Sequence, residues 1–234
     1  MRPRPAWLLL TVLAMALFTT LGFWQWNRGQ HKLALAAQFE TGGKEAALPL
    51  GSRDIATLPR FTYVRLRGEY DTKHQFLLDN MSDSGRPGYQ VLTPLHLEDG
   101  RVLLVNRGWL QFTGYRDRLP DIAFSATGST EIRGRLDQLP AAGLASGRAA
   151  PALQGSWPRL TTFPQLAELA AALGLPALQP RILLLDADAP SGYTRRWQPP
   201  GLSPDRHIAY AVQWWAFAAL ALILLVVLNR GKRT

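Results

Sequence analysis

The chain has 234 residues, no cysteine, and 26 Lys and Arg against 17 Asp and Glu, for a formal charge of +9. The missing cysteine excludes disulfides, thiol redox pairs, zinc knuckles, thiolate iron–sulfur sites and cysteine-based copper carriers. All 17 acids lie between Glu40 and Asp205, while Arg2, Arg4, Arg230, Lys232 and Arg233 crowd the two ends. That distribution is expected of a membrane protein and not of a nucleic-acid binder with a basic face.

In chain order, residues 1–5 form a short basic tail, and residues 6–26 are uncharged. At ~1.5 Å per residue this run reaches roughly 30 Å, the thickness of the hydrocarbon core, and Trp24 and Trp26 close it as an interfacial belt would. Ala14-Met15-Ala16 has the small-x-small form of a signal-peptide cleavage site, but the apolar run continues past it, so a transmembrane helix is the expectation. Beyond it, Gln25, Arg28 and Lys32 stand at i, i+3 and i+7, and Trp24 at i−4 from Arg28. A continued helix therefore offers an amide and two cations just outside the bilayer. The plainer reading of the same face is an interfacial anchor with snorkelling bases.

Residues 27–206 are long enough for a domain with its own core. Alternating apolar and polar residues predict strands over 61–70, 89–97 and 101–110, with Glu98-Asp99-Gly100 as a hairpin turn between the last two. Further strands are expected at 75–80, 131–137 and 181–186. One helix is expected over 164–173, stopped by Gly174 and Pro176, and a loose Gly-, Ala- and Ser-rich insertion over 140–158. Asp186-Ala-Asp188 reads as a solvated strand end, and His74 and His96 lack neighbours at ligand spacing. No nucleophile motif, zinc helix, phosphate loop or calcium loop is present, so the chain is expected not to be an enzyme.

Residues 207–228 form the second span, opened by Tyr210, Trp214 and Trp215, and 229–234 the second tail. Ser203 is a natural N-cap with Pro204 at the first helical position, which places His207 one turn into the helix, at the mouth of the membrane. Tyr210, Ala211 and Trp214 follow at i+3, i+4 and i+7. Imidazole, phenol, a gap and indole are therefore expected on one face. Neutral imidazole is the form that ligates iron, although an interfacial hydrogen bond is the plainer role. Because both spans cross, 24–32 and 203–214 meet on one side of the bilayer. Aromatic walls, an imidazole and cations there suit an amphiphilic ring bearing carboxylates. Five bases flank the spans on each side, so charge does not fix orientation. Long loops translocate largely regardless of charge, which favours cytoplasmic tails and an external domain. The fold class expected is a membrane protein: two transmembrane α-helices flanking an antiparallel β-rich (α+β) extramembrane domain.

Three blocks resemble the surfeit locus protein one family of cytochrome c oxidase assembly factors. They are LGFWQWNRGQHKL (21–33), similar to Leu-Gly-x-Trp-Gln-x-x-Arg-x-x-x-Lys-Leu; RPGYQVLTPLHLEDGRVLLVNRGWL (86–110), with Val-Asn-Arg-Gly at 105–108; and GYTRRWQPPGLSPDRHIAYAVQWWAFA (192–218), similar to His-x-x-Tyr-Ala-x-x-Trp. The resemblance implies a bacterial inner-membrane protein with its central domain facing the periplasm. Its implied partners are the oxidase catalytic subunit, the haem a synthesis enzymes and the lipid bilayer, with no nucleic acid. It implies haem a as cofactor, held by His207. From the residues themselves we expect His207 on the iron, Tyr210 and Trp214 as walls of the ring, and Arg28 and Lys32 offsetting the propionate charge, with Trp24 and Gln25 also expected among the cofactor-binding residues. His31 stands where the family has an aromatic residue and could supply a second axial ligand. Arg206 replaces a small polar residue. Asn106, Arg107 and Gly108 are not explained by haem. Arg107 either contacts the oxidase subunit or locks the β-domain. The alternative function is a cofactor-free scaffold that stabilises the partly assembled oxidase subunit.

Overall fold

The computed structural model describes residues 5–115, 118–140, 156–199 and 201–230. The chain ends and most of the expected 140–158 insertion lie outside the described residues. Eleven elements follow in order: α1 (Pro5–Gly42), β1 (Leu48–Pro49), β2 (Tyr63–Tyr70), β3 (Phe76–Asp83), β4 (Arg86–Leu97), β5 (Val102–Gln111), β6 (Thr130–Asp137), β7 (Arg159–Thr161), α2 (Leu166–Ala172), β8 (Ile182–Leu185) and α3 (Pro204–Arg230). They divide into two compact units. Glu40–Gln198 carries every strand and α2, and the other unit pairs α1 with α3.

The protein is a membrane protein with two transmembrane helices flanking a β-rich domain. Both helices are long and apolar enough to cross a bilayer. They expose what a soluble protein would cover: Val12, Leu13 and Leu17 on α1, and Val212, Ile223 and Val227 on α3, are all more than half exposed. Helix α1 does not stop at residue 26. No proline follows within it and Gly29 alone interrupts good helix formers, so the backbone continues as helix to Gly42.

In the β-unit the expected strands form, and their side-chain period of two builds a barrel. β2 pairs with β6, β6 with β8, β8 with β5, β5 with β4, and β4 returns to β2 through Gly68↔Leu97, Glu69↔His96 and Tyr70↔Leu95. Closure demands a glycine at position 68, since a Cβ there would lie 2.4 Å from the His96 carbonyl oxygen. The main pairings are antiparallel, whereas β1, β7 and β8 join parallel to β2, β3 and β5. β4 is long enough to serve three partners. Its first half also carries β3 outside the ring. The expected turn at 98–100 closes by Leu97 N–H donating to Arg101 O at 2.8 Å, with Gly100 at φ +85°.

Every side chain of β5 from Val102 to Trp109 is buried, because both faces of that strand are covered. Leu103 and Val105 enter the barrel with Val64, Leu66, Ile132 and Leu183. Val102 and Leu104 point outward into a second core with Phe76, Leu92, Leu169 and Leu184, roofed by α2. At about 25 cal/mol per Å² of apolar area removed from water, two such layers are the main force holding the domain. β1 and β7 were not expected. At two and three residues they have no readable period, and tertiary pairing alone defines them.

Candidate functional site

The helix pair holds most of the expected site residues. α1 presents Gly22, Gln25 and Gly29 toward α3, which answers with Trp215, Ala211 and His207. The two glycines let the backbones approach. A Cβ on Gly22 would lie 2.2 Å from Trp215 Nε1, and one on Gly29 would lie 3.1 Å from Ile208 Cγ1 and 3.5 Å from His207 Cβ. Ala211 is fully buried and His207 is 8% exposed. Between the glycines, Gln25 Oε1 lies 2.9 Å from His207 Nδ1.

With the amide oxygen facing Nδ1, the matching tautomer is the one in which Nδ1 donates and Nε2 keeps its lone pair. Among the described residues Nε2 has no hydrogen-bond partner. A neutral imidazole in this tautomer is the donor a metal takes. One such nitrogen suits an iron, while the ring faces and cations expected around it stand in separate contacts.

The other expected residues fall around this contact in separate pairs. Trp214 is half-buried and stacked on Phe18 at 5.7 Å between centroids, and Phe217 completes a cluster 5.8 Å from each. The Arg28 guanidinium lies over the Trp24 ring at 5.5 Å, and Trp24 itself is 52% exposed. Lys32 Nζ reaches the turn before α3, 2.7 Å from where a Cβ on Gly201 would stand. Gln25, Arg28 and Lys32 thus do not share one environment: Gln25 and Lys32 lie on the packed side and Arg28 is exposed. Tyr210 is likewise separated from His207, at 47% exposure. At about 100° per residue the packed line through His207 passes nearer position i+4 than i+3, so Ala211 takes the place expected of Tyr210. Sequence reading missed Phe18, Trp215, Gly22 and Gly29. The Gly-x-x-Gln-x-x-x-Gly spacing was the available signal. His31 is exposed on α1.

A second constellation lies inside the β-unit at Val105–Gly108. Arg107 is 2% exposed. Its Nε and Nη2 donate to Ser191 O at 2.8 and 2.6 Å, and Nη1 donates to Gln75 Oε1 at 2.7 Å. Gln75 Oε1 also accepts from Thr93 Oγ1 at 2.8 Å. The guanidinium lies 3.5 Å from the centroid of Phe124 and 5.1 Å from that of Tyr193. It forms no ion pair among the described residues, and burial pushes its pKa below the ordinary arginine value, opposed by Tyr193 and Tyr70. Asn106 donates through Nδ2 to Gln90 Oε1 at 2.9 Å and accepts from Gly108 N–H at 3.1 Å. Gly108 has φ +117°, and a Cβ there would lie 2.8 Å from Thr194 O. Segment 191–197 is thereby sewn onto β5 by Tyr193 N–H donating to Arg107 O at 2.8 Å, and onto β8 by Trp197 Nε1 donating to Leu185 O at 2.8 Å. Both long side chains of the block, Asn106 and Arg107, are buried and bonded within the β-unit, an arrangement that suits the domain-locking alternative.

A cavity of about 640 Å³ in the same unit is lined by Tyr63, Tyr70, Phe124, Asp186, Asp188 and Ser191 among others. Asp186 accepts the Tyr63 hydroxyl. Desolvation, then that bond and the carboxylate charge, push the Tyr63 pKa up to about 12, and burial pushes Tyr70 up to about 12 against Arg107 and Arg195. His74 pairs with Asp71 at 2.7 Å and meets the edge of Trp157. No cluster of three or more histidines and carboxylates suited to a metal exists among the described residues.

Residues 12–219 match the model of the SURF1 family. The chain is 28% identical to a SURF1-like protein of Monosiga brevicollis over 97% of its own length and 89% of that protein's. It is 31% identical to Surfeit locus protein 1 of Takifugu rubripes over 44% of this chain and 50% of the fish protein. With Surfeit locus protein 1 of Mus musculus it shares 33% over 44% of this chain and 39% of the mouse protein. The last two matches span half or less of those relatives.

Proposed function

The chain belongs to the SURF1 family, and from that premise we propose that it is a non-enzymatic assembly factor for cytochrome c oxidase that binds haem a and assists its insertion into the catalytic subunit. The observation that carries the haem reading is the His207 imidazole, bonded through Nδ1 to Gln25 and without a hydrogen-bond partner at Nε2 among the described residues. His207 offers Nε2 to the iron. Trp214 and, once the exposed Tyr210 turns toward the site, its phenol would wall the ring, and Arg28 and Lys32 would supply cations for the propionate carboxylates from their separate positions. A bacterial inner membrane with the β-unit in the periplasm, and exchange with the haem a synthesis enzymes, complete the proposal.

The rival is a cofactor-free scaffold that stabilises the partly built oxidase subunit through its β-unit. The low exposure of His207 favours it, because an interhelical clasp would bury the same ring. The visible spectrum of detergent-purified protein, co-produced with the haem a synthesis enzymes, decides between them. A haem a band in the parent that disappears in a folded His207→Ala variant supports the carrier. No band in either, with haem a present in the membranes, leaves the scaffold.

A further inference from the structure

We propose that Gln25 is a positioning residue for His207, holding its imidazole in the Nδ1–H tautomer and so presenting Nε2 as the donor to an incoming iron. The inference rests on the haem reading for its purpose but on this chain's own geometry for its content. Three observations converge. The Gln25 Oε1 to His207 Nδ1 distance of 2.9 Å is that of a full hydrogen bond. Nε2 has no partner among the described residues, so nothing competes for the lone pair. And the packing that sets the distance is built for it: Gly29 stands one turn beyond Gln25, where a Cβ would press on Ile208 and His207, and Ala211 stands one turn beyond His207 with no exposure. Were either site larger, the helices would separate and the bond would lengthen.

The chemistry follows from the amide. In water an imidazole samples both neutral tautomers, and whichever nitrogen carries the proton cannot ligate a metal. A carbonyl fixed beside Nδ1 removes the unproductive tautomer and freezes the ring's rotation, the role that carboxylates and carbonyls play behind metal-bound histidines elsewhere. Gln25 does this without a charge. That matters in a low-dielectric setting, where an unpaired carboxylate is costly. Gln25 is therefore not a second ligand and not a propionate contact.

The test is the nitrogen-15 spectrum of the imidazoles in the full chain, in detergent without haem, at about pH 8.5, two units above the ordinary imidazole value. There are four histidines, and His207→Ala identifies the signal of interest. The parent is expected to show His207 protonated at Nδ1, Gln25→Glu to keep that pattern, and Gln25→Leu to lose it. In haem a titrations Gln25→Leu is expected to bind 10- to 100-fold more weakly, the usual cost of losing such a support. A parent protonated at Nε2 would mean that the amide turns its NH2 to Nδ1, and would overturn the proposal. So would identical tautomers in the parent and in a folded Gln25→Leu variant. Gln25→Glu, which keeps the acceptor, guards against a leucine variant that merely fails to fold. Failure of the haem reading looks different: the Nδ1–H pattern and its loss in Gln25→Leu persist, while no protein takes up haem a.

Discussion

Arg107 in the β-unit and His207 between the helices are both buried polar side chains, 2% and 8% exposed, yet they are bonded in opposite ways. Arg107 spends its guanidinium on two carbonyl groups and two ring faces, all from its own domain. His207 makes one hydrogen bond and keeps one nitrogen in hand. A saturated buried group is architecture, because its burial is compensated only while those partners stay in place. A half-satisfied one is where the proposed ligand would have to bind. The motif block that stands out most in sequence, Val-Asn-Arg-Gly, is the one whose side chains are bonded within their own domain.

The widest split between the two should appear on deleting Arg107. Arg107→Leu removes the charge and leaves Ser191 O unpaired in the interior, so the β-unit should lose about 3 kcal/mol, read by denaturant unfolding with near-ultraviolet dichroism. An Arg107→Leu protein as stable as the parent would erase the distinction drawn above. Gly22→Val comes next. A side chain forced against Trp215 should cost about 1–3 kcal/mol of helix pairing. Cross-linking between cysteines introduced on α1 and α3 would report it, on a background that has none.

Alkali offers a third handle, confined to the β-unit. Tyr63 and Tyr70 have pKa values raised from 10.0 to about 12, so their neutral forms are favoured in the fold. The stability they contribute is fully present below pH 10 and is lost as pH rises from 10 to 12. Unfolding midpoints should fall over that window in the parent, and fall less in Tyr63→Phe. The smallest effect is expected from His207→Ala. An interhelical hydrogen bond in a bilayer is worth about 1 kcal/mol, so the helix pair should persist while the proposed ligand site is gone. A collapse of the protein as severe as that of Arg107→Leu would make His207 architecture too.

Much of the fold was legible because its signals are local. The two uncharged runs, the alternation in residues 61–70 and the Asp-Gly turn each announce an element within a few residues. The barrel was not legible, since β5 and β8 become neighbours only through pairings across some 80 residues, Leu104↔Ile182 among them. The role of Arg107 was hidden for the same reason: its partners Gln75 and Ser191 lie 32 and 84 positions away. At the helix pair, sequence brought Gln25 and His207 to the same side of the bilayer. Their bond depends on how each helix is rotated about its axis, and that rotation is set by Gly22, Gly29 and Ala211. A face drawn through His207 and Tyr210 by spacing alone therefore missed by less than a turn.

The strand order of the barrel also bears on the order in which the ribosome delivers its parts. β8, at Ile182–Leu185, is wedged between β5 and β6, and the ring does not exist without it. When the first helix has emerged and β2 to β6 have been synthesised, β5 and β6 still expose raw edges to the surroundings. Closure waits until nearly the whole stretch before α3 has been translated, and a nascent chain paused before residue 182 carries an open, adhesive sheet. Maturation of the domain is thus gated by its last strand. A chaperone or membrane insertase that shields such edges would have its work between the arrival of β6 and the arrival of β8.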